Sequence, residues 1–289
     1  QELMVSPLDA IRKIDGMASG VILDRKEGVV YLFRDRFGQK PLFYKDYVGE
    51  DGQGCLDICS DRRLLSANSP LDRQEIEEVL AYGFSTSTTH MCDPECEDYV
   101  FSVPPGSVRI YRYVQSSLEF RKEIAALPLP EWIKVVKATR KADFAPTFEF
   151  ESALMAAVED LIPRDVEFGV TLSGGVDSAC AALACRELGH KPLAYAVVER
   201  SDDQRKKLVD TLATNMKLDL KIVEYDFSRI AEEFDSVVKA YDFPFGDSSA
   251  VLAYFLGNAV SDDGARVLIG GDGADELFFG YRRAQMFGR

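Results

Sequence analysis

Two spacings of apolar residues divide the chain. From residue 18 to 60 they fall in short runs rich in β-branched and aromatic side chains. "SGVILDRKEGVVYLFRD" holds two such runs joined by "DRKEG", the pattern of a hairpin. "KPLFYKDY" and "GCLDICSD" continue it around the turn "GEDGQG", and "SVRIYRYVQ" adds a strand after the rigid "VPPG". Over 72–82, "DRQEIEEVLAY" predicts a short helix.

From Thr147 the period lengthens. "FEFESALMAAVEDLI" reads as an amphipathic helix and "VEFGVTL" as a short apolar strand. A helix over 177–189 follows, then strand "LAYAVV", helix "DDQRKKLVDTLATNM", strand "LKIVEYD" and helix "SRIAEEFDSVVKAY". A helix around 250–260, strand "ARVLIGG" and a helix from Glu276 complete the series. Strands alternating with helices predict a parallel sheet covered on both faces. Between the halves, "ALPLPEWIKVVKATRKADFAP" has poor periodicity and three prolines, so 126–146 reads as a linker or docking segment. The predicted organisation is an α+β part over 1–125, this linker, and an α/β domain over 147–289.

Composition narrows the function classes. Net charge is −14, with Lys and Arg scattered among the acids, so no basic surface for nucleic acid is expected. No apolar run approaches the roughly 20 residues that span a bilayer, and "QELMVSPLDAIRKIDG" has no signal-peptide pattern. No membrane role and a cytoplasmic location are expected. The cysteines include two C-x3-C pairs, Cys55 with Cys59 and Cys92 with Cys96, the second preceded by His90. Spacing alone would allow zinc, but "CLDIC" reads as a strand whose cysteines face a core. Cys180 and Cys185 read as helix packing residues. The charge runs "DDQRKK" and "EEFD" read as solvated helix faces, and Arg34, Asp35 and Arg36 as structural pairing at a domain junction.

The chemistry concentrates in two glycine-rich loops, each after an apolar strand and before a helix. In "TLSGGVDS", Gly174 and Gly175 let backbone amides approach an anion, and the following helix adds its positive N-terminal end. Ser173 and Ser178 can donate to phosphate oxygens, while Asp177 can face phosphate only through Mg2+. The loop suits a diphosphate. It is neither GxxxxGK[ST] nor GxGxxG. The second loop, "VLIGGDGADELFFGYRR", places Asp272, Asp275 and Glu276 beside Gly270, Gly271 and Gly273. One aspartate from each loop could clamp a Mg2+.

"SGGVDS" resembles the PP-loop of ATP pyrophosphatases. With "GGDGADELFFGY", "YDFPFGDSSAVLAYFL" (241–256), "RDRFGQKPLFY" (34–44) and "VPPGS" (103–107), the chain resembles the glutamine-hydrolysing asparagine synthetase family in family order. The resemblance implies an incomplete Ntn-type glutaminase sandwich followed by a PP-loop, adenine nucleotide alpha hydrolase-like domain. It implies that an aspartate side-chain carboxylate is activated by ATP as an acyl adenylate with release of pyrophosphate, and then amidated by ammonia drawn from glutamine. Ser173, Gly174, Gly175, Val176 and Ser178 would hold pyrophosphate, and Asp177 and Asp275 would bind Mg2+. Leu172 and Val197 would line the adenine pocket, and Gly270 and Gly271 would contact the nucleotide. A homodimer is compatible with the resemblance.

Three departures qualify the expectation. The family's glutaminase nucleophile is an N-terminal cysteine, whereas Gln1 stands first here and none of the six cysteines substitutes for it. Glutamine hydrolysis is therefore not expected of this chain. The family draws a catalytic lysine from beyond the "DELF" helix, and no lysine follows Lys239. A fragment, or the ordered part of a longer protein, is the simplest expectation. Asp272 stands where the family usually has glutamate, which bears on its catalytic role. Two other readings follow: a glutaminase-inactive relative that closes another amide such as a β-lactam ring, and a non-enzyme that only binds ATP.

Overall fold

A computed structural model describes residues 6–65, 73–83, 89–93, 98–115, 117–127, 147–241, 246–278 and 280–281. The chain divides into two compact units, Gln1–Lys137 with Tyr241–Gly246, and Ala138–Ala240 with Asp247–Arg289. No helix among the described residues is long and apolar enough to cross a membrane.

The first unit is built from two antiparallel sheets. Helix α1 (Pro7–Arg12) is capped by Ser6, whose side chain accepts from the Asp9 amide. One sheet runs β1 (Ser19–Asp24), β2 (Val29–Arg34), β7 (Ser107–Val114), β8 (Ser117–Ala125). The other runs β4 (Gly54–Cys59), β3 (Phe43–Val48), β6 (Asp98–Ser102), β5 (Thr89–Asp93). A short helix α2 (Arg73–Tyr82) lies between β4 and β5 in the chain. Strand alternation sorts the side chains. Leu32 and Tyr111 join Leu42, Tyr44 and Val103 in a core shared by the two sheets. Phe33, Val108 and Ile110 pack with Ile11 of α1 in a second core on the opposite face of the first sheet. Ala126 and Leu127, the first two residues of the expected linker, are buried in this second core; 128–146 lie outside the described residues.

The sequence reads Arg34, Asp35 and Arg36 as paired charges. The structure corrects this: Arg34 and Asp35 serve the backbone. Arg34 donates to the carbonyls of Lys40, Gly38 and Val103. Asp35, only 1% exposed, accepts from the amides of Phe37, Gln39 and Lys40 at 3.0–3.1 Å. The Gly106 amide in turn donates to the Asp35 carbonyl. "RDRFGQKP" and "VPPGS" thus form one loop system, and Gly38 fits it because a Cβ there would lie 2.8 Å from Pro105 Cγ.

In the second unit a parallel sheet runs β11 (Leu220–Tyr225), β10 (Leu193–Glu199), β9 (Phe168–Thr171), β12 (Val267–Ile269). The connecting helices are α3 (Thr147–Leu161) ahead of β9, α4 (Val176–Glu187), α5 (Asp203–Met216), α6 (Phe227–Ala240), α7 (Ser249–Asp262) and, after β12, α8 (Ala274–Phe278). Alanines make the face of α4 small, so Ala181, Ala182 and Ala184 sit in the core with Val170 and Leu172. Successive strands β9, β10 and β11 add on one side of β9, and β12 adds on the other. The chain reverses its direction of growth between β9 and β12, where open sheets of this kind form a crevice beyond the carboxyl ends of the strands. Helix α8 begins at Ala274, two residues before the sequence predicts.

Burial acts to raise the Asp35 carboxyl, and the amides of Lys40, Gln39 and Phe37 more than offset it, holding it below the ordinary range. A depressed carboxyl stabilises the fold above its unfolded value of about 4. That stability is lost as pH falls through the folded value. Asp35→Ala is expected to destabilise this unit at neutral pH by roughly 2–3 kcal/mol through the orphaned amides. Urea unfolding at a series of pH values checks it: the gap between variant and wild type should shrink on acidification.

Candidate active site

The two glycine-rich loops leave adjacent strands. β9 runs beside β12 with Ile269 opposite Val170, so the loop after Thr171 and the loop after Ile269 emerge side by side. They then pack until no side chain fits between them. A Cβ on Gly271 would lie 2.7 Å from Asp177 Cβ and 2.8 Å from the Ser178 nitrogen. A Cβ on Gly270 would meet Asp272 Oδ2 at 2.8 Å and Thr171 Oγ1 at 3.2 Å.

The first loop is held by its own hydroxyls. Ser178, 6% exposed, accepts from the Ser173 amide at 3.1 Å, and its Oγ lies 2.9 Å from Ser173 Oγ and 3.2 Å from the Gly175 carbonyl. The Gly175 amide donates to Ser173 Oγ at 3.3 Å. Gly174 adopts φ +84°, a left-handed conformation that favours glycine. Helix α4 then starts at Val176 with no side-chain cap on its N-terminus. Its first amides have no acceptor within the helix, and its positive end faces the loop.

Beside the loops lies a cleft of about 570 Å3, within the usual size of a ligand pocket. Its polar end carries Ser173, Asp177, Ser178, Thr171, Gly271 and Asp272, and its apolar wall carries Val197, Leu252, Leu256 and Leu268. Of the residues singled out in the sequence, the cleft brings together Ser173, Asp177, Ser178, Val197, Gly271 and Asp272. Gly174, Gly175 and Val176 shape the turn into α4, and Gly270 sits between Thr171 and Asp272. Two residues fall elsewhere. Leu172 is fully buried in the core against α4, because it points opposite to Thr171, the neighbour that lines the cleft. The Asp275 carboxylate is turned toward Gly280 and does not line the cleft.

The structure adds residues that sequence reasoning missed. Tyr195 lines the cleft two positions before Val197, on the same face of β10, so alternation alone would have found it. Gly169 makes room for its ring: a Cβ there would lie 2.5 Å from Tyr195 Cε2. Burial, then the Asp263 carboxylate, push the Tyr195 hydroxyl up to about 12. It therefore stays protonated and donates to Asp263, which Lys221 also holds. Ser249, Leu252, Ala253, Leu256 and Gly257 form a stripe at helical spacing along α7, a signal present in "SSAVLAYFLG". Arg205, read as part of a solvated face, donates from Nη1 to the Ser173 carbonyl.

Among the described residues no group of three or more metal-ligating side chains gathers. Cys55, Cys59, Cys180 and Cys185 are free thiols, with Cys185 buried. The side chains of His90 and Cys92, and residue Cys96, lie outside what is described. His190 is exposed, its ring edge-on to Phe168 at 5.8 Å.

The fold and cleft define a parallel-sheet domain with a phosphate-type loop at its switch point. Residues 149–287 match the family model described as asparagine synthase, and residues 6–120 match the one described as glutamine amidotransferase domain. Asparagine synthetase (glutamine-hydrolysing) 1 of Bacillus subtilis is 24% identical over 285 residues, covering 94% of this chain and 41% of that protein. Putative asparagine synthetase (glutamine-hydrolysing) 2 of Methanocaldococcus jannaschii is 24% identical over 290 residues, covering 94% and 51%. The chain spans about half the length of these curated relatives, or less. Among solved structures, NMN synthetase from Francisella tularensis is 21% identical over 48% of this chain and 59% of that one, with a TM-score of 0.35, too slight a likeness to rest anything on. The two models, in this order, bear out the chain's resemblance to the asparagine synthetase family.

The loop contact yields a direct test. Gly271→Ala puts a methyl group against the first turn of α4, and overpacking of this kind costs about 1–3 kcal/mol. The variant is expected to lose stability on that scale in thermal unfolding. Gly257→Ala, on the cleft wall where a Cβ meets nothing within 4 Å, should keep its stability.

Proposed function

We propose that this chain takes part in ATP-driven amide synthesis, activating a carboxylic acid, aspartate in the first instance, as an acyl adenylate. The observation that carries it is the pair of glycine-rich loops packed against each other at the carboxyl ends of β9 and β12, beside one cleft. The apolar wall of Val197, Leu252, Leu256 and Leu268 suits the adenosine, and the amides of the first loop suit the phosphates.

In the proposed reaction an oxygen of the acid attacks the α phosphorus. The bond from that phosphorus to the bridging oxygen breaks, and its electron pair leaves with pyrophosphate. The free amides at the start of α4 and the hydroxyls of Ser173 and Ser178 are fixed before reaction, so they stabilise that leaving charge without reorganising. Ammonia, supplied as such or from glutamine, then attacks the acyl carbon, expels AMP and gives up a proton. Asp272, on the cleft wall, would receive it.

Mg2+ fits the donor set. Asp177 offers a hard carboxylate on the cleft wall beside two hydroxyls, which suits a cation that keeps waters and shares substrate oxygens. Asp177 would hold it; Asp275, the second ligand the motif implies, would have to turn from Gly280 to join it. Its charge would neutralise part of the pyrophosphate.

The test follows nucleotide products from the purified protein with ATP, Mg2+, aspartate and either ammonium or glutamine. Pyrophosphate and AMP are expected in equal amounts, and only when the acid is present. Asp177→Asn should lower the rate roughly a hundredfold, the scale of one lost preorganised electrostatic group. Formation of ADP and phosphate, or no consumption of ATP by folded wild-type protein, would overturn the reading.

A further inference from the structure

One cation reaches the first loop from outside it. Helix α5 is capped by Asp202, whose carboxylate accepts from the Arg205 amide at 2.8 Å. This fixes the first turn, and from it the Arg205 side chain crosses to the loop, where Nη1 donates to the Ser173 carbonyl. Its Cδ and Nη1 lie 3.4 Å from where a Cβ on Gly174 would sit, and Leu208 Cδ2 lies 3.0 Å from the same point. Arg205 and Leu208, three residues apart on one helix face, form the floor under Gly174.

Three other arginines of this unit are paired with carboxylates: Arg186 with Glu187, Arg200 with Glu224 and Asp226, and Arg229 with Glu233. Among the described residues Arg205 has no carboxylate partner. A guanidinium has five N–H donors in a fixed fork, so binding one carbonyl leaves most of them free. The Ser173 carbonyl is also the group whose negative end would repel a phosphate if the peptide turned over. Nothing in the Ser173–Ser178 hydroxyl network holds that oxygen, so Arg205 supplies the only hold on it among the described residues.

We infer that Arg205 is a positioning residue for the anion cradle. It keeps the Ser173 carbonyl turned away from the phosphates and adds a fixed positive charge next to them. This rests on the proposed function, because it assigns the loop to a polyphosphate. It makes α5 part of the nucleotide site, although that helix contributes no residue to the cleft wall.

The experiment measures binding of inorganic pyrophosphate, ATP and adenosine to purified wild-type protein, Arg205→Met and Arg205→Lys by titration calorimetry at low and moderate salt. Arg205→Met should weaken pyrophosphate and ATP about tenfold, the factor supplied by one charge-assisted hydrogen bond. Adenosine binding should be unchanged. Arg205→Lys should recover most of the loss, and the difference between Met and wild type should narrow as salt rises. Should Arg205→Met not fold, Arg205→Gln must still weaken pyrophosphate, since it keeps a donor but no charge. Pyrophosphate binding unaltered in a folded neutral variant overturns the inference and leaves the proposed function standing. Equal weakening of adenosine and pyrophosphate also overturns it, because that marks general damage to the fold. A wild-type protein that binds neither ATP nor pyrophosphate sinks the proposed function itself, and the inference with it.

Discussion

The fit of Gly271 against the start of α4 is the contact on which the second unit's site depends. Parallel strands β9 and β12 stand one ladder apart, so whatever follows them must share a narrow space. A side chain at 271 would collide with Asp177 Cβ and the Ser178 nitrogen. With glycine there, the second loop closes on the first and the cleft gains a wall from each. The same closeness brings Asp177 and Asp272 to one cavity, although they lie 95 positions apart by number.

The first unit solves a comparable problem with polar groups. Its loop over 35–41 must turn sharply between β2 and β3 without a regular ladder to satisfy its amides. A buried carboxylate takes three of them, and a neighbouring guanidinium takes three carbonyls. Each charge is thereby hydrogen-bonded on several sides, which is the condition for keeping it out of water. The role of these charges is not legible in the sequence, because their partners are backbone groups, which leave no trace in residue type.

That difference marks what the sequence could carry. Alternation and helical period locate the strands and helices because burial on one face imposes a period. The two glycine-rich loops are legible because close approach of backbone to an anion, or to another loop, demands glycine. The Leu172 side chain faces the core for an equally physical reason: at the end of a strand the faces alternate, and a one-residue step exchanges cleft for core. Arg205 stayed hidden because its neighbours in sequence, Gln204, Lys206 and Lys207, are also polar. Which one turns inward depends on the N-cap at Asp202 and on a glycine 31 residues away in number. The turn of Asp275 toward Gly280 depends likewise on the path of the chain after α8.

A chain of net charge −14 is an unpromising receptor for a polyphosphate, and the resolution is one of range. At physiological ionic strength the field of a surface charge decays over about 8 Å. Most of the acids therefore count little at the cleft, and the local charges decide. Those are the carboxylates of Asp177 and Asp272, set against the amides at the N-terminus of α4 and the guanidinium of Arg205. The helix end contributes roughly half a positive charge, so with Arg205 the positive groups do not balance two carboxylates together with a polyphosphate. Under the proposed function the missing charge must arrive with the nucleotide. A divalent cation held on oxygen ligands supplies it, and Asp177, which would otherwise repel the phosphates, then becomes part of what holds them.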